Sequence, residues 1–571
     1  MKTCNQCQNN FDVTDEDRLF YEKVSPIFSG TKYSITEPTI CPDCRQQRRL
    51  SICNERNLYP GECGLCKKRT LTEYSPDRKQ PIYCRECWHS DKWDARDYGM
   101  DFDFSKSFFE QIKELKLKTP ALALSVQGEI INSDYIHYAG SCKNCYLIMH
   151  ADFCEDCYYG YGFKKDRSCV DGFYNLHCEL CYDCIDVHKS YDLKGSQDCI
   201  NCSSSAFLRD CIGCQNCFCS VGLRNKEYCF ENQQLTKEEY QKRISEIDTG
   251  SYKQYQYWKS RRKELEKAHT FKEFQGNNLE NCTGNHLYNC KNVSNSFDCE
   301  DIENGKFCYQ IVLGAKDIYD IYQYGTNLQQ SYECSISGEN SYHLLFCDNC
   351  HVSSSDLIYC WYMERSKDNF GCANMHGAKY CILNKQYSKE EYEQLVPKII
   401  EQMRKTGEWG EFFPSEISPH GYNKSSAQMY FPLKQEEALA KKLPWDDYEP
   451  TQPNVAKKIA ASEIQDAIKD ISDDVLNSAI ECELTNKLFK ITPQELKFYR
   501  QQDIPLPRRH PDQRHLDRFL QRNPRKFWAR KCGKCQKNMQ TTYSPDRPHS
   551  SKSAPWGEIV YCEECYIKEL Y

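Results

Sequence analysis

The sequence predicts a multidomain, mainly β protein. Related zinc-ribbon or treble-clef-like modules at both ends flank a Cys-rich β-solenoid in two helix-capped halves. Three observations carry this: a framework that recurs at the two ends, C-x-x-C turns that occur there in pairs, and cysteines at regular spacing in between. At 571 residues the chain should hold several domains, because single cores rarely grow beyond about 250–300 residues.

The repeat organises the reading. Phe11, Thr14 and Phe20-Tyr21 match Phe489, Thr492 and Phe498-Tyr499. CPDCRQQRR from Cys41 matches HPDQRHLDR from His510, and Arg56-Asn57 matches Arg522-Asn523. The tetrads Ser75-Pro76-Asp77-Arg78 and Ser544-Pro545-Asp546-Arg547 also correspond, as do YCRECW from Tyr83 and YCEECY from Tyr561.

A C-x-x-C turn offers two thiolates from one knuckle, and two such turns close a tetrahedral shell around zinc. The first module pairs Cys4/Cys7 with Cys41/Cys44, and Cys63/Cys66 with Cys84/Cys87. The last pairs Cys532/Cys535 with Cys562/Cys565. Three structural zinc ions are expected, since a catalytic zinc keeps an open position; matched pairs argue against a redox motif, which works singly. At the remaining ligand positions of the second copy stand Cys482, Thr485, His510 and Gln513, too few ligands for a structural zinc. Thr492 before Pro493-Gln494-Glu495 reads as a capping box, and hydrophobic packing is expected to replace the metal. A weak Cys482/His510 site completed from outside is the alternative.

The degenerate copy keeps its arginines. Arg508, Arg509, Arg514, Arg518, Arg522, Arg525, Lys526, Arg530 and Lys531 form a basic run, and residues 500–537 hold 12 basic against 3 acidic side chains. The whole chain carries −7, while residues 482–571 carry +8. A basic end on an acidic body points to RNA or DNA, which arginine forks grip through phosphates. Phe527-Trp528 could stack bases, although core packing is the plainer role for them.

In the middle, Cys142 to Cys154 and Cys199 to Cys211 are 12 apart, while Cys334, Cys347, Cys360 and Cys372 are 12 or 13 apart. Short strand-like pieces such as CYLIM, YQIVL and IYDIY lie between Asp, Asn, Gly and Ser. Recurring short strands suggest a solenoid with reduced cysteine as a small inward residue; metal clusters at Cys178/Cys181/Cys184 or Cys211/Cys214/Cys217/Cys219 are the alternative. Each half closes alike, with YCFENQQLTKEEY from Tyr228 and YCILNKQYSKEEY from Tyr380. Thr236/Glu239 and Ser388/Glu391 make capping boxes for helices that would seal the halves.

The domain reading is then 1–100, a double zinc-finger module; 101–130, a connector; 131–235, the first solenoid half; and 236–279, a helical insertion. There follow 280–388, the second half; 389–412, a capping helix; 413–461, a Pro-rich linker; and 462–571, the C-terminal module with one degenerate site. No 18-residue apolar run or secretory leader is visible. The expectation is therefore a cytoplasmic protein without a membrane partner, its 39 cysteines mostly reduced or metal-bound.

Taken together, CPDCRQQRRL, YSPDR, YCRECW, ITPQELKFY, IPLPRRHP, RNPRKFW, TTYSPDRP, YCEECY and the YCILNKQYSKEEY closure resemble the Cys-rich zinc-ribbon proteins of candidate-phyla bacteria with reduced genomes. The resemblance spans nearly the whole chain; it implies zinc ribbons and brings no activity with it. No Walker A loop, G-x-S-x-G or H-E-x-x-H is present, so no enzyme is expected. The leading expectation is a zinc-stabilised binding protein whose terminal arginines contact nucleic acid with little sequence preference. The alternatives are a scaffold that meets protein partners along the solenoid, and metal storage or sensing by the middle.

Overall fold

The computed structural model describes all residues except 451–454, 456, 546–557 and 571. Asp546 and Arg547 of the second S-P-D-R tetrad, and part of the Pro-rich stretch, lie outside the described residues. The chain is mainly β and forms two units, each drawn from separated segments. The first joins Met1–Leu124 to Phe274–Tyr448, and the second joins Ser125–Glu273 to Glu449–Tyr571. Each unit thus unites one terminal module with the solenoid half more distant from it in sequence.

The solenoid of the second unit has a period inside its period. From Tyr138 to Glu231 every third residue takes a left-handed conformation, either as a non-glycine residue such as Ser141, Asn144 and Leu147 or as Gly162, Gly195, Gly213 and Gly222. The residue after each left-handed corner points inward. Four three-residue sides make one 12-residue coil, and coils stack in parallel, with Ile185 over Gln197 over Arg209. Most inward positions are small or apolar, as Cys142, Cys145, Ile148, Ala151, Cys154 and Cys157 are, all of them buried; Asp166 and Asn175 are buried polar exceptions. In the first unit the same design runs with coils of 11 to 13 residues, Gly276 pairing Leu287, Gly284 pairing Ser296 and Ala315 pairing Leu328.

Inward cysteines tie neighbouring coils together. Many Sγ atoms lie near a carbonyl two residues back and another on the next coil, as Cys178 does with Leu176 O at 3.5 Å and Val187 O at 3.2 Å; others, such as Cys199 and Cys372, meet only the nearer one. A thiol can donate to these carbonyls and a thiolate cannot, so the contacts suit the protonated form. Burial pushes the Cys199 and Cys299 thiols well up, and no disulfide is formed. Among the described residues no solenoid cysteines form a metal-ligating group. The inward, reduced ladder expected from the spacing is present.

Both halves end as the sequence indicated. The hairpins Cys229–Phe230/Gln233–Gln234 and Cys381–Ile382/Lys385–Gln386 turn the last coil antiparallel. Helices Lys237–Ser245 and Lys389–Thr406 follow, each opened by its predicted capping box. In this way the open edge of the parallel ladder is covered.

Some elements differ from expectation. Residues 413–448, read as an extended linker, are packed into the first unit, where Phe413, Tyr422 and Ala427 are fully buried. The prolines and glycines there serve short helical turns, Ser415–Ile417 and Tyr422–Lys424, instead of a free tether. The insertion after the first solenoid half holds the helix Tyr252–Glu266, then a strand, Thr270–Lys272, that pairs in parallel with Ile559–Tyr561 of the C-terminal ribbon.

Candidate metal centres and the arginine docking face

The three predicted cysteine tetrads are assembled. In each, all four sulfurs lie within 4.8 Å of one another. Across the knuckles the sulfurs are 3.6 Å apart for Cys7–Cys41, 3.9 Å for Cys66–Cys84 and 3.7 Å for Cys535–Cys562. A tetrahedral thiolate shell with metal–sulfur bonds of about 2.3 Å needs sulfurs about 3.8 Å apart, so the donor set fits a four-coordinate metal ion.

The knuckle itself explains why these sequences fold so. In each tetrad the turn closes by a backbone bond to its first cysteine: Gln8 N to Cys4 O, Lys67 N to Cys63 O and Gln536 N to Cys532 O. Those three donors sit in the left-handed region. The first sulfur accepts backbone N–H groups: Cys4 Sγ from Cys41 at 3.2 Å, Cys63 Sγ from Cys84 at 3.3 Å, and Cys532 Sγ from Cys562 at 3.3 Å. For Cys532 burial opposes ionisation, but the N–H groups of Cys535, Cys562 and Lys534 outweigh it and pull the thiol down to about 6. A site that already stabilises thiolates is prepared for a cation.

The degenerate copy keeps the fold of the knuckle without its ligands. Asn486 N still bonds Cys482 O, with Asn486 left-handed. Cys482 is fully buried in an apolar cluster with Phe489, Ile491, Leu496, Phe498 and Tyr499. His510 keeps a backbone hydrogen bond to Cys482, while its Nδ1 accepts from Asp512 N at 3.2 Å and caps the helix Pro511–Phe519. A further group of possible ligands is acidic and includes Asp186 and Asp198. Both carboxylates are held by arginines, Asp186 by Arg522 at 2.8 Å and Asp198 by Arg209 at 2.6 Å.

The structure gives the basic run an inward role. Arg514 pairs with Asp171, Arg518 with Asp171 at 3.0 Å and with Asp183 at 3.8 Å, and Arg522 forks onto Asp186 at 2.8 and 3.0 Å. Arg509 holds Glu483 and Asp517, and Arg508 lies 4.1 Å over the Tyr252 ring with a bond to Ile464 O. Arg525 reaches Tyr174 Oη at 3.4 Å, and Arg530 donates to Tyr543 O and Glu558 O. Lys526 lies over Trp528 at 5.4 Å, and Lys531 is exposed. The helical spacing of Arg514, Arg518 and Arg522 does place them on one face, but that face meets the solenoid. The expectation that these side chains present a phosphate-binding face therefore fails for those three, because buried carboxylates neutralise them.

The first unit repeats this docking. Arg45 forks onto Asp320 at 3.0 and 2.8 Å, Arg49 bonds Asp320 at 3.0 Å, and Arg48 bonds Glu333 at 2.6 Å. The sequence repeat aligns Arg45 with Arg514 and Arg49 with Arg518. The acids likewise correspond: Asp320 and Glu333, like Asp171 and Asp183, stand at left-handed corners of successive coils. The offset that aligns these arginines also changes one pairing in the repeat. Asn54, not Asn57, matches Asn523: Asn54 Nδ2 bonds Glu73 O at 2.7 Å, and Asn523 Nδ2 bonds Thr542 Oγ1 at 3.1 Å.

No family model matches the chain, and no curated protein matches it.

Proposed function

We propose that this protein is a non-enzymatic scaffold whose terminal modules are held by zinc and clamped onto solenoid halves that present long faces to protein partners. The arginine docking supports this reading best. In both units the most basic helix of the module is occupied by solenoid carboxylates, so the module stiffens the solenoid rather than reaching outward. Zinc suits the tetrads because four cysteine thiolates in a tetrahedron are its commonest structural shell. Nucleic-acid contact by the terminal arginines is the weaker reading, since Arg45, Arg49, Arg514 and Arg518 are each at least nine-tenths buried.

The test is to purify the full chain from its native source under gentle conditions, measure its metal, and cross-link it to whatever co-purifies. The scaffold reading expects zinc and a stoichiometric protein partner cross-linked to solenoid lysines such as Lys316 or Lys367. A partner-free chain that turns over a substrate, or RNA cross-linked to Arg514 and Arg518, would sink it.

A further inference from the structure

The tetrads that end at Cys87 and Cys565 can be compared position by position. The knuckles YCRECW and YCEECY align Trp88 with Tyr566 and His89 with Ile567. The solenoid closures from Tyr380 and Tyr228 align Tyr362 with Asp210, Glu364 with Ile212 and His376 with Arg224. The contacts agree with this alignment. In the second unit Tyr566 Oη donates to Asp210 at 2.8 Å and accepts from Arg224 at 2.8 Å. In the first unit the Trp88 ring lies 5.6 Å from the Tyr362 ring and 5.7 Å from the His376 ring. The residue after the last cysteine thus docks between the same two solenoid positions in both units.

One residue further on, the two units part. Where the second has Ile567 and Ile212, both exposed, the first has His89 and Glu364. These two face each other, with His89 Nδ1 3.9 Å from Glu364 Oε2. Glu364 stands in register with His351 on the coil before and with His376 on the coil after. Its side chain is 8% exposed, yet among the described residues no hydrogen bond reaches its carboxylate. By contrast, Asp320 is held by Arg45, Glu333 by Arg48, Asp171 by Arg514 and Asp186 by Arg522. Burial raises the Glu364 carboxyl above its usual range; Arg365 and Arg85 oppose this from a distance, and Glu339 adds to it. His351, in the same column, is 2% exposed, and neither ring nitrogen has a hydrogen-bond partner. A buried carboxylate without a donor or a paired cation is costly, and a bound cation removes that cost.

We propose that His89, Glu364 and His376 hold a divalent transition-metal ion at the seam between the N-terminal module and its solenoid half. Two imidazoles and a carboxylate suit zinc, nickel or cobalt, whereas magnesium and calcium take oxygen ligands. Ligands bound about 2.1 Å from such an ion stand about 3.0–3.4 Å apart, so His89 and Glu364 need to close by only about half an ångström. The three are not yet gathered as the tetrad sulfurs are. His376 is exposed at the end of its strand, and turning its ring toward Glu364 supplies the third ligand. Three protein ligands leave a coordination position open, unlike the closed four-cysteine shells. The site shares no residue with the tetrads and does not depend on the scaffold reading.

The experiment uses the full-length chain, loaded with zinc, desalted and titrated with cobalt(II). Wild type should take up one cobalt ion per chain beyond the zinc it retains, with weak d–d absorption and no thiolate-to-cobalt charge-transfer band. Glu364→Ile and His376→Arg install the residues of the second unit, so both should fold; circular dichroism checks this. Each should lose the cobalt uptake and keep the wild-type zinc content. His177→Asn removes an exposed imidazole from the other solenoid half and should leave the uptake unchanged. The proposal fails if zinc-loaded wild type takes up no further cobalt, or if Glu364→Ile and His376→Arg bind it as wild type does. It also fails if a thiolate charge-transfer band grows with the uptake, which would put the ion in a tetrad.

Discussion

Asp320 shows what a single residue carries here. It is fully buried and accepts both forks of Arg45 together with Arg49. Removing one side of a buried ion pair leaves the other charge without compensation, at a cost of about 3–5 kcal/mol. Asp320→Asn should therefore lower the denaturant midpoint of the first unit strongly, and Asp171→Asn should do the same in the second. Lys291→Ala, which breaks an exposed pair with Glu280, should change stability by less than about 1 kcal/mol. Equal effects from buried and exposed changes would contradict the docking geometry. Asp348 gives a pH signature. Burial first of all raises its carboxyl to about 7, far above the unfolded value. The stability tied to its protonated form is present in full below about pH 4 and is lost as pH rises toward 7. Asp348→Asn should flatten the fall in stability across that window, read from chemical denaturation at several pH values; a parallel pH profile would reject it. The sequence announced the cysteine tetrads residue by residue because C-x-x-C spacing is local. It could not announce which carboxylates the arginines meet, because Asp320 lies 275 residues from Arg45.

At the scale of elements, the two docking helices make a matched comparison. Pro42–Ser51 begins between two cysteines of a tetrad that could hold a metal ion, Cys41 at its N-cap and Cys44 within its first turn. Pro511–Phe519 begins at His510 with no tetrad. Metal removal should therefore loosen only the first helix. Hydrogen exchange with and without a strong zinc chelator should show faster exchange over 42–51 and unchanged exchange over 511–519. Equal loosening of both would mean that the metal does not anchor the helix. The inward cysteines should behave as core, not ligand: in the native, metal-loaded chain they should stay unreactive to a thiol reagent until the solenoid unfolds. The capping boxes and the 12-residue recurrence were legible because they repeat within short windows. The three-residue alternation of left-handed corner and inward residue was not, since Tyr, Leu, Phe and Lys occupy corners that propensity would assign to Gly or Asn. Stacking against neighbouring coils overrides that local preference.

At the scale of the whole molecule, the chain is a duplication in which each module belongs with a solenoid half that does not follow it directly. Residues 1–124 share a unit with 274–448, and 125–273 share one with 449–571. Reading the chain in order lists its pieces. It cannot show which pieces join, because that pairing is written in buried side chains hundreds of residues apart. The consequence is a distinctive unfolding pattern. The first unit has its own core, running through Leu287, Ile318, Cys347 and Met363. The second has separate clusters, one inside the solenoid around Cys157, Val187 and Leu208 and one around Tyr159, Phe207 and Tyr499. Cores that share no residues can melt separately. Calorimetry should show two transitions, with Asp320→Asn lowering one and Asp171→Asn the other. Hydrogen exchange near each midpoint should assign the first to residues 1–124 together with 274–448, and the second to 125–273 together with 449–571. A single transition that both substitutions lower alike, or exchange that follows the chain order instead of these paired segments, would show that the units do not fold as the two bodies their cores define.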